Sequence, residues 1–373
     1  MKVVFLSDWL KNPYKDLLAD GMRSHGAKVT EYEWATFFLP LVLRAGKPNV
    51  LHLHTLHPFL RGRSSISRFI KLCVFVAQIA ALRILGVKTA WTVHEWTDKI
   101  GTGTDEIPTY SCMLIGQCLN AFIVHCKSTG AQIETAFRIN GRHKVHVVPH
   151  GNYIGCYPNE IVRSQARAEI GLAEATVAFL LFGDLYRYKG ALDSIDAFKS
   201  IDQTSVSLII AGKPRQDGLE KEILERIEGH DNITFVPERV ADDAVQTYMN
   251  AADCVLVPYT VFTTSGVAIL AMSFGRVCIA PNVGFFNDML SDAGAFLYDS
   301  AANGANAPGE SDLAKAMSKA VEARTRLLEM GEHNLGLAQA WNWNHVGKLT
   351  LAAYQSPAQD ARQVPATAAG NLS

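Results

Sequence analysis

Arg187 and Lys189 are the first residues whose types and spacing could do chemistry. They lie in GDLYRYKG, residues 183–190, between an apolar run typical of a strand and a pattern typical of a helix. Gly183 would end the strand and a second glycine would open the helix, so the loop presents positive charge together with free backbone N–H groups. The segment predicts an anion-binding loop, in which Arg187 binds as a fork and Lys189 as a point charge.

A second anion site is predicted in TTSGVAILAMSF, residues 263–274. Thr264 and Ser265 are residue types that favour the position before a helix, and Gly266 would let a phosphate approach the first N–H groups of that helix. Taken alone, the segment is also explained by an ordinary strand–loop–helix connection with a Ser/Thr cap. Two such sites at the strand ends of one domain, however, suit a diphosphate.

Three more residues of the second half follow apolar runs that are typical of buried strands. They are Gly212, Pro237 and Tyr259. Ligands of open α/β sheets bind beyond the carboxyl ends of the strands. We therefore expect these three residues to line the same site as the two anion-binding loops.

The first half of the chain ends its predicted strands in histidines rather than in glycine or hydroxyl residues. These histidines are His52, His54, His57, His94, His125 and His150. A metal site would need a carboxylate or cysteine to complete the ligand set, and none is nearby in the sequence. The favoured interpretation is therefore a set of hydrogen-bonding histidines facing an interdomain cleft, some of them purely structural.

The elements that must position these residues are short apolar runs that alternate with helical patterns. Near-continuous apolar strands between helices indicate a parallel sheet covered on both faces, and the pattern restarts at residue 177. The sequence therefore predicts an α/β protein with two Rossmann-like, doubly wound parallel-sheet domains, at residues 1–165 and 166–335. The polar stretch 159–175 is the predicted linker, and residues 356–373 are a predicted disordered tail.

Composition limits the classes of protein that remain. The chain has 373 residues, 48% of them hydrophobic, and a formal net charge of −1. A general nucleic-acid binder would be strongly basic, so that class is excluded. Seven cysteines are dispersed without a CxxC pair, which is typical of reduced thiols. The N-terminus enters a strand directly, without the pattern of a signal peptide. We expect a cytoplasmic protein.

One apolar segment, residues 68–87, has two interpretations. It contains only eleven uncharged residues between Lys71 and Arg83, which is short for a bilayer span. The first interpretation is a helix packed on a sheet. The second is a helix lying at a membrane surface, with Arg61 and Arg63 beside it.

Six segments resemble, in chain order, the β-mannosyltransferase family of xanthan-type exopolysaccharide synthesis. They are NPYKDLLADGM (12–22), VLHLHTLHPFLRG (50–62), TVHEW (92–96), PHGNY (149–153), FGDLYRYKG (182–190) and TTSGVAILAMSFGRVCIAP (263–281). More broadly, two tandem Rossmann-like domains with these loops resemble the GT-B glycosyltransferases, including the bacterial group-1 type. Retaining members carry a pair of glutamates around the last segment. FTTSGVAIL has no carboxylate, which favours an inverting enzyme.

The resemblance implies an activity and its co-substrates. It implies an inverting transferase that moves a hexose, mannose from GDP-mannose, onto a lipid-linked or polysaccharide acceptor in bacterial exopolysaccharide or cell-envelope glycan synthesis. Neither a metal nor another cofactor is expected, since no Asp-x-Asp pair lies in a suitable loop. The alternatives are a retaining GT-B enzyme using a UDP-sugar, and a non-catalytic nucleotide-sugar-binding partner. Peripheral contact with the inner face of the plasma membrane would come from residues 61–87.

Residue roles follow from the resemblance and from position. The candidates for the catalytic base, all in the first domain, are Glu95, Asp98, His57 and His94. The candidates for the acceptor side are Asp8, Asn12, His54 and His150. The candidates for the nucleotide-sugar donor are Gly183, Arg187, Lys189, Gly212, Pro237, Tyr259, Thr264, Ser265 and Gly266. Residues 336–355 resemble the closing helix that crosses back to the N-terminal domain in GT-B proteins.

Overall fold

The computed structural model describes residues 1–8, 13–44, 46–60, 64–94, 109–139, 144–299 and 311–355. The chain forms two compact units. The described residues of the first unit lie within 1–94, 109–150 and 343–355. Those of the second unit are 151–299 and 311–342. The chain therefore leaves the first unit after His150 and returns to it at Trp343.

Strands and helices alternate along both units. The strands are β1 (Lys2–Ser7), β2 (Lys28–Glu33), β3 (Val50–Leu53), β4 (Lys88–Thr92), β5 (Ala121–Val124), β6 (Val145–Val147), β7 (Val177–Phe182), β8 (Val206–Ala211), β9 (Ile233–Val236), β10 (Cys254–Leu256), β11 (Val277–Pro281) and β12 (Ala295–Tyr298). The helices are α1 (Pro13–Arg23), α2 (Leu39–Leu43), α3 (His57–Leu60), α4 (Ser65–Ile84), α5 (Thr109–Cys118), α6 (Lys127–Ala136), α7 (Arg163–Glu169), α8 (Ala191–Ser200), α9 (Leu219–Ile227), α10 (Val245–Ala251), α11 (Gly266–Ser273), α12 (Gly284–Met289), α13 (Asp312–Glu322), α14 (Leu327–Ala340) and α15 (Trp343–Gln355). Short 3-10 turns lie at Arg187–Lys189 and Arg324–Arg326.

Each unit is built on one six-stranded parallel sheet. The strand order is β2-β1-β3-β4-β5-β6 in the first unit and β12-β11-β10-β7-β8-β9 in the second. In both sheets the order reverses beside the first strand, which is how the doubly wound α/β fold arises. The predicted fold class is confirmed.

Strand β2 was not predicted from the sequence. Its sequence, KVTEYE, is polar, and most of its residues are partly exposed. An edge strand pairs on one side only, so it does not need the continuous apolar run that marks a central strand such as VAFLLF in β7.

The linker prediction for residues 159–175 is wrong, because this stretch is an integral part of the second unit. It contains α7, and the side chain of Arg167 is fully buried. The guanidinium of Arg167 donates to the carbonyl oxygens of Ala173 and Thr176 at 2.8 Å each, and to the carboxylate of Asp253 at 2.8 Å. A buried arginine is acceptable where its donors are paired in this way, and sequence polarity alone does not show it.

Helix α15 closes the first unit by packing closely on α1. A Cβ atom on Gly21 would lie 2.0 Å from the carbonyl oxygen of Trp343, and one on Gly347 would lie 2.4 Å from the backbone of Gly21. Only glycine permits this approach of two helix backbones. The side chain of Lys88 donates to the carbonyl oxygen of Tyr354 at 2.7 Å, which fixes the end of α15 at the sheet.

Helix α4 buries one face and exposes another. Leu72, Phe75, Ile79 and Leu82 lie in the core of the first unit. Within the described residues, this is the one helix long and apolar enough to cross a membrane by length and composition, a test that core helices also pass. Its buried face agrees with the first interpretation, a helix packed on a sheet, and its exposed face is compatible with the second.

Candidate functional site

Two loops meet at the carboxyl ends of β7 and β10 in the second unit. The backbone N–H of Thr260, in the loop after β10, donates to the carbonyl oxygen of Tyr188, in the loop after β7, at 2.9 Å. Gly190 has φ 72°, and a Cβ atom there would lie 2.8 Å from the carbonyl oxygen of Pro258. Glycine is required at this position both for its backbone conformation and for the space. The structure thus brings together the two segments that the sequence singled out as anion sites.

The ammonium group of Lys189 lies between two tyrosine rings. Its Nζ atom is 5.6 Å from the ring centre of Tyr259 and 5.9 Å from that of Tyr186. Both distances are within the range of a cation–π interaction. The two rings therefore favour a position of the cation at the junction of the two loops.

Ser265 caps α11 as the sequence predicts. Its hydroxyl accepts from the backbone N–H of Ala268 at 3.2 Å. The phenol of Tyr259 forms a side-chain hydrogen bond with Ser265, while burial raises the pKa of Tyr259, so its phenol stays neutral. A Cβ atom on Gly266 would lie 3.4 Å from the hydroxyl of Tyr153. Tyr259 therefore contacts both parts of the site: its hydroxyl bonds to Ser265 at the N-terminus of α11, and its ring faces Lys189.

The other predicted donor residues occupy different places at the same sheet edge. Gly183 and Gly212 follow the paired strands β7 and β8, and a Cβ atom on Gly212 would lie 1.9 Å from the carbonyl oxygen of Gly183. Thr264 precedes the cap of α11. Pro237 follows the edge strand β9, which pairs with β8 but not with β7. Thus Pro237 lies farthest along the sheet from the two loops.

The side chain of Arg187 forms a two-pronged ion pair. Its Nη1 and Nη2 atoms donate to the two carboxylate oxygens of Glu222 on α9, at 2.7 and 2.6 Å. The sequence marked Arg187 as a phosphate-binding fork, and in the structure the fork holds a carboxylate. Glu222 was missed because it is 35 residues away in the chain and looks like an ordinary surface residue of an amphipathic helix.

The predicted acceptor side contains a layer of histidines around Tyr14 in the first unit. The ring of Tyr14 lies 4.5 Å from the ring of His94, 4.9 Å from His150, 5.4 Å from His125 and 6.0 Å from His54, measured between centroids. His52 stacks on His54 at 4.4 Å. All five histidines are buried. We call these five residues the histidine layer.

Burial keeps four members of the histidine layer neutral. It lowers the pKa of His52 to about 3 and that of His125 to about 4. It also lowers the pKa values of His54 and His94 well below the usual value. His52 is bonded on both sides, to the Tyr354 hydroxyl at 2.5 Å and to the Thr92 hydroxyl at 2.6 Å. These four histidines therefore present neutral imidazoles, not positive charge.

Five further predicted residues complete the account of the first unit. His57 begins α3 and is half-buried. The exposed Asp8 follows β1, and its backbone N–H donates to the Thr55 hydroxyl at 3.4 Å. Glu95, Asp98 and Asn12 lie outside the described residues. Tyr14 and Tyr354 were missed, because their contacts with the histidine layer come from distant parts of the chain.

No metal-binding group is visible in the described part. Among those residues, no three or more histidine, cysteine, aspartate or glutamate side chains are arranged to hold a metal ion. Metal independence remains a prediction.

The second unit is similar in sequence to one known family, and the fold is similar to that of known structures. Residues 176–331 match the model of the family described as glycosyl transferases group 1, and the two parallel-sheet units are those of the GT-B fold. The matched segment is less than half of the chain, so the second unit is similar in sequence to group-1 glycosyltransferases, and the fold of the chain is of GT-B type.

Particular proteins share this similarity in sequence or in fold. A D-inositol 3-phosphate glycosyltransferase from Gordonia bronchialis is 27% identical over 228 residues, which are 58% of this chain and 48% of the relative, about half its length. The chain is similar in fold to sucrose-phosphate synthase from Thermosynechococcus elongatus, with a TM-score of 0.72, 16% identity and coverage of 95% and 98% of the two chains. It is similar also to Anabaena HepE in complex with UDP, with a TM-score of 0.70, 15% identity and coverage of 95% and 100%.

Proposed function

We propose that the protein is a glycosyltransferase that moves a hexose from a nucleoside-diphosphate sugar to an acceptor hydroxyl. The observation that carries this proposal is the junction of the two loops in the second unit. There Lys189, held between Tyr186 and Tyr259, approaches the N-terminus of α11 capped by Ser265. A fixed cation and a helix N-terminus at one sheet edge suit the diphosphate of such a donor.

The proposed chemistry is a direct displacement at the anomeric carbon. The acceptor oxygen forms a bond to that carbon while the bond to the diphosphate oxygen breaks, and a base takes the acceptor proton. Lys189 and the N–H groups at the start of α11 would stabilise the charge that develops on the leaving diphosphate. For the base, the lowered pKa of His94 makes it a weak proton acceptor. This favours Glu95, Asp98 or His57.

We propose two candidate donors and rank them. GDP-mannose with inversion comes first, because six segments resemble the β-mannosyltransferase family and the loop before α11 lacks a carboxylate. A UDP-sugar with retention comes second. The solved complexes of HepE with UDP, and with UDP-glucose, favour it as an alternative.

Thermal unfolding in the presence of nucleotides tests the function and separates the donors. GDP, UDP, ADP, dTDP and CMP are each added with and without EDTA. A ligand at 100 times its dissociation constant adds about 2.7 kcal/mol to the free energy of unfolding, a readily measured rise in melting temperature. We expect a selective rise with GDP that EDTA does not change.

The other outcomes are equally informative. A rise with UDP alone would keep the transferase and replace mannose from GDP-mannose by the second donor. A rise that EDTA abolishes would contradict metal independence. No rise with any nucleotide would contradict the proposed function. Donor hydrolysis without acceptor, followed by chromatography, separates an enzyme from a non-catalytic nucleotide-sugar-binding protein.

We further propose that the acceptor is lipid-linked and that α4 contacts an anionic membrane surface at the cytoplasmic face. The exposed face of α4 carries Ile66, Phe69, Ile70 and Ile84, with 73%, 54%, 56% and 88% of their surfaces exposed. Arg68 and Lys71 are on the same helix. Exposed apolar side chains beside cations are typical of a helix that lies in the headgroup region.

Vesicle sedimentation tests the membrane proposal. We expect the wild-type protein to bind vesicles that contain phosphatidylserine, and Ile66→Ser/Ile70→Ser to lose most of this binding, because two apolar anchors are removed. Leu328→Ser is the matched control, since Leu328 is 74% exposed on α14 of the second unit. Equal binding by all three proteins would contradict a role for α4.

A further inference from the structure

Glu222 is held against Arg187 in a defined geometry. It lies in the first turn of α9, where the helix dipole favours a carboxylate, and its backbone N–H donates to the carbonyl oxygen of Gly218 at 3.0 Å. The ion pair lowers the pKa of Glu222, so this carboxylate is ionised at neutral pH. Both side chains are about half exposed, at 45% and 42%, so a dissolved ligand could reach the guanidinium.

The surrounding contacts fix the backbone of the loop that carries Arg187. The backbone N–H of Arg187 donates to the side-chain oxygen of Gln216 at 2.6 Å. Asp184 pairs with Arg215 at 2.9 Å. These contacts join the loop after β7 to the loop after β8, independently of the guanidinium. The side chain of Arg187 can therefore exchange partners without displacing the loop.

A guanidinium binds a carboxylate and a phosphate with the same planar pair of N–H groups. The N–H pair that holds Glu222 cannot hold a phosphate at the same time. Any anion that uses this pair must first displace the carboxylate.

We propose that Glu222 is an internal competitor of the donor diphosphate for Arg187, and that it sets the affinity of the site for diphosphates. This inference rests on the proposed function, in which the diphosphate binds at Lys189 and the start of α11, together with the sequence-based prediction that Arg187 also binds it. Glu222 weakens the binding of any phosphate ligand that uses this pair of N–H groups of Arg187, and it recaptures them when the nucleoside diphosphate leaves. It is a positioning residue, since it acts through Arg187.

Titration calorimetry on the full chain tests the proposal. The probes are GDP, UDP and inorganic pyrophosphate, and the variants are Glu222→Gln, Arg187→Gln and the double variant. Glu225→Gln is the matched control, because Glu225 is an exposed carboxylate one turn further along α9 and pairs with Lys221. It undergoes the same change of net charge.

We expect Glu222→Gln to tighten binding of the diphosphate probe by about two- to fivefold, the range expected for an exposed ion pair. Glu225→Gln should leave the dissociation constant unchanged. In the Arg187→Gln background, Glu222→Gln should have no effect, because the competition acts only through the guanidinium.

Three results would overturn the proposal. They are an unchanged dissociation constant for Glu222→Gln, an equal tightening by Glu225→Gln, and a tightening that persists without the guanidinium of Arg187. If the wild-type protein binds none of the probes, the proposed function itself fails and this inference fails with it. Binding by the wild type with no effect of Glu222→Gln defeats the inference alone.

Discussion

Lys189→Met is expected to lower kcat/KM for the donor by about 30- to 1,000-fold, the effect of removing one charge-assisted contact from a site that binds developing charge. The ammonium group lies 5.6 Å from the ring centre of Tyr259 and 5.9 Å from that of Tyr186. Methionine keeps an unbranched apolar stem of similar length between these rings. The loop should therefore keep its conformation while the cation is lost.

Initial rates of donor consumption at varied donor concentration measure this effect. Because the charge on the diphosphate grows as the bond to the sugar breaks, kcat should fall as well as the apparent affinity. Lys221→Met is the control: it also removes a lysine charge, from a side chain that is 81% exposed on α9. A rate within twofold of wild type for Lys189→Met would exclude Lys189 from the site.

The first unit is expected to lose about 4 kcal/mol of its free energy of unfolding between pH 7 and pH 5. In the unfolded chain a histidine titrates near pH 6.5, whereas in the fold the pKa of His52 is about 3 and that of His125 about 4. At pH 5 the unfolded state therefore binds protons that the folded state excludes. Each of these two histidines then costs about 2 kcal/mol.

The direction of this pH dependence follows from the lowered pKa values. The stability is fully present above about pH 6.5 and is lost as the pH falls below that value towards the folded-state pKa. His54 and His94, with pKa values lowered in the same direction, add to the loss. The groups that face the layer are Tyr14 and Tyr354, with Lys15 close enough to lower the pKa of His54. Folded domains are stable by about 5–15 kcal/mol, so this loss is a large fraction.

Urea unfolding at pH 7.5, 6.5, 5.5 and 5.0 measures the loss. Trp34, Trp91 and Trp343 belong to the first unit, so tryptophan fluorescence reports its unfolding. His54→Leu should reduce the dependence on pH, because it removes a histidine whose pKa is lowered in the fold. The variant should still fold, since in the described part neither ring nitrogen of His54 has a hydrogen-bond partner to lose. His333→Gln, on the surface of α14, should leave it unchanged. A free energy that is flat between pH 7.5 and 5.0 would contradict the prediction.

The sequence predicts most of this fold because central strands of a covered parallel sheet must be apolar on both faces. All six residues of β7 are buried, and a run of that kind has few other interpretations. Two elements follow a different rule. Edge strand β2 needs no apolar run, and the polar segment around Arg167 satisfies its charges inside the second unit.

The candidate site is predictable to the extent that it depends on local backbone requirements. Gly190 must adopt a positive φ, and Ser265 must cap α11, so residue type and position reveal both. The partners of the charged and aromatic groups are not local. Arg187 pairs with Glu222 on another helix, and Tyr14 contacts the histidine layer. Both contacts form because each sheet brings residues that are distant in the sequence to one edge.

The return of the chain to the first unit has a consequence for synthesis on the ribosome. Helix α15 covers α1, but its residues, Trp343–Gln355, are translated after the whole second unit. Domains usually fold in the order in which they emerge. Here the unit that begins first cannot be completed until residues 343–355 have been made, and residues 151–342 are available as a complete unit before that.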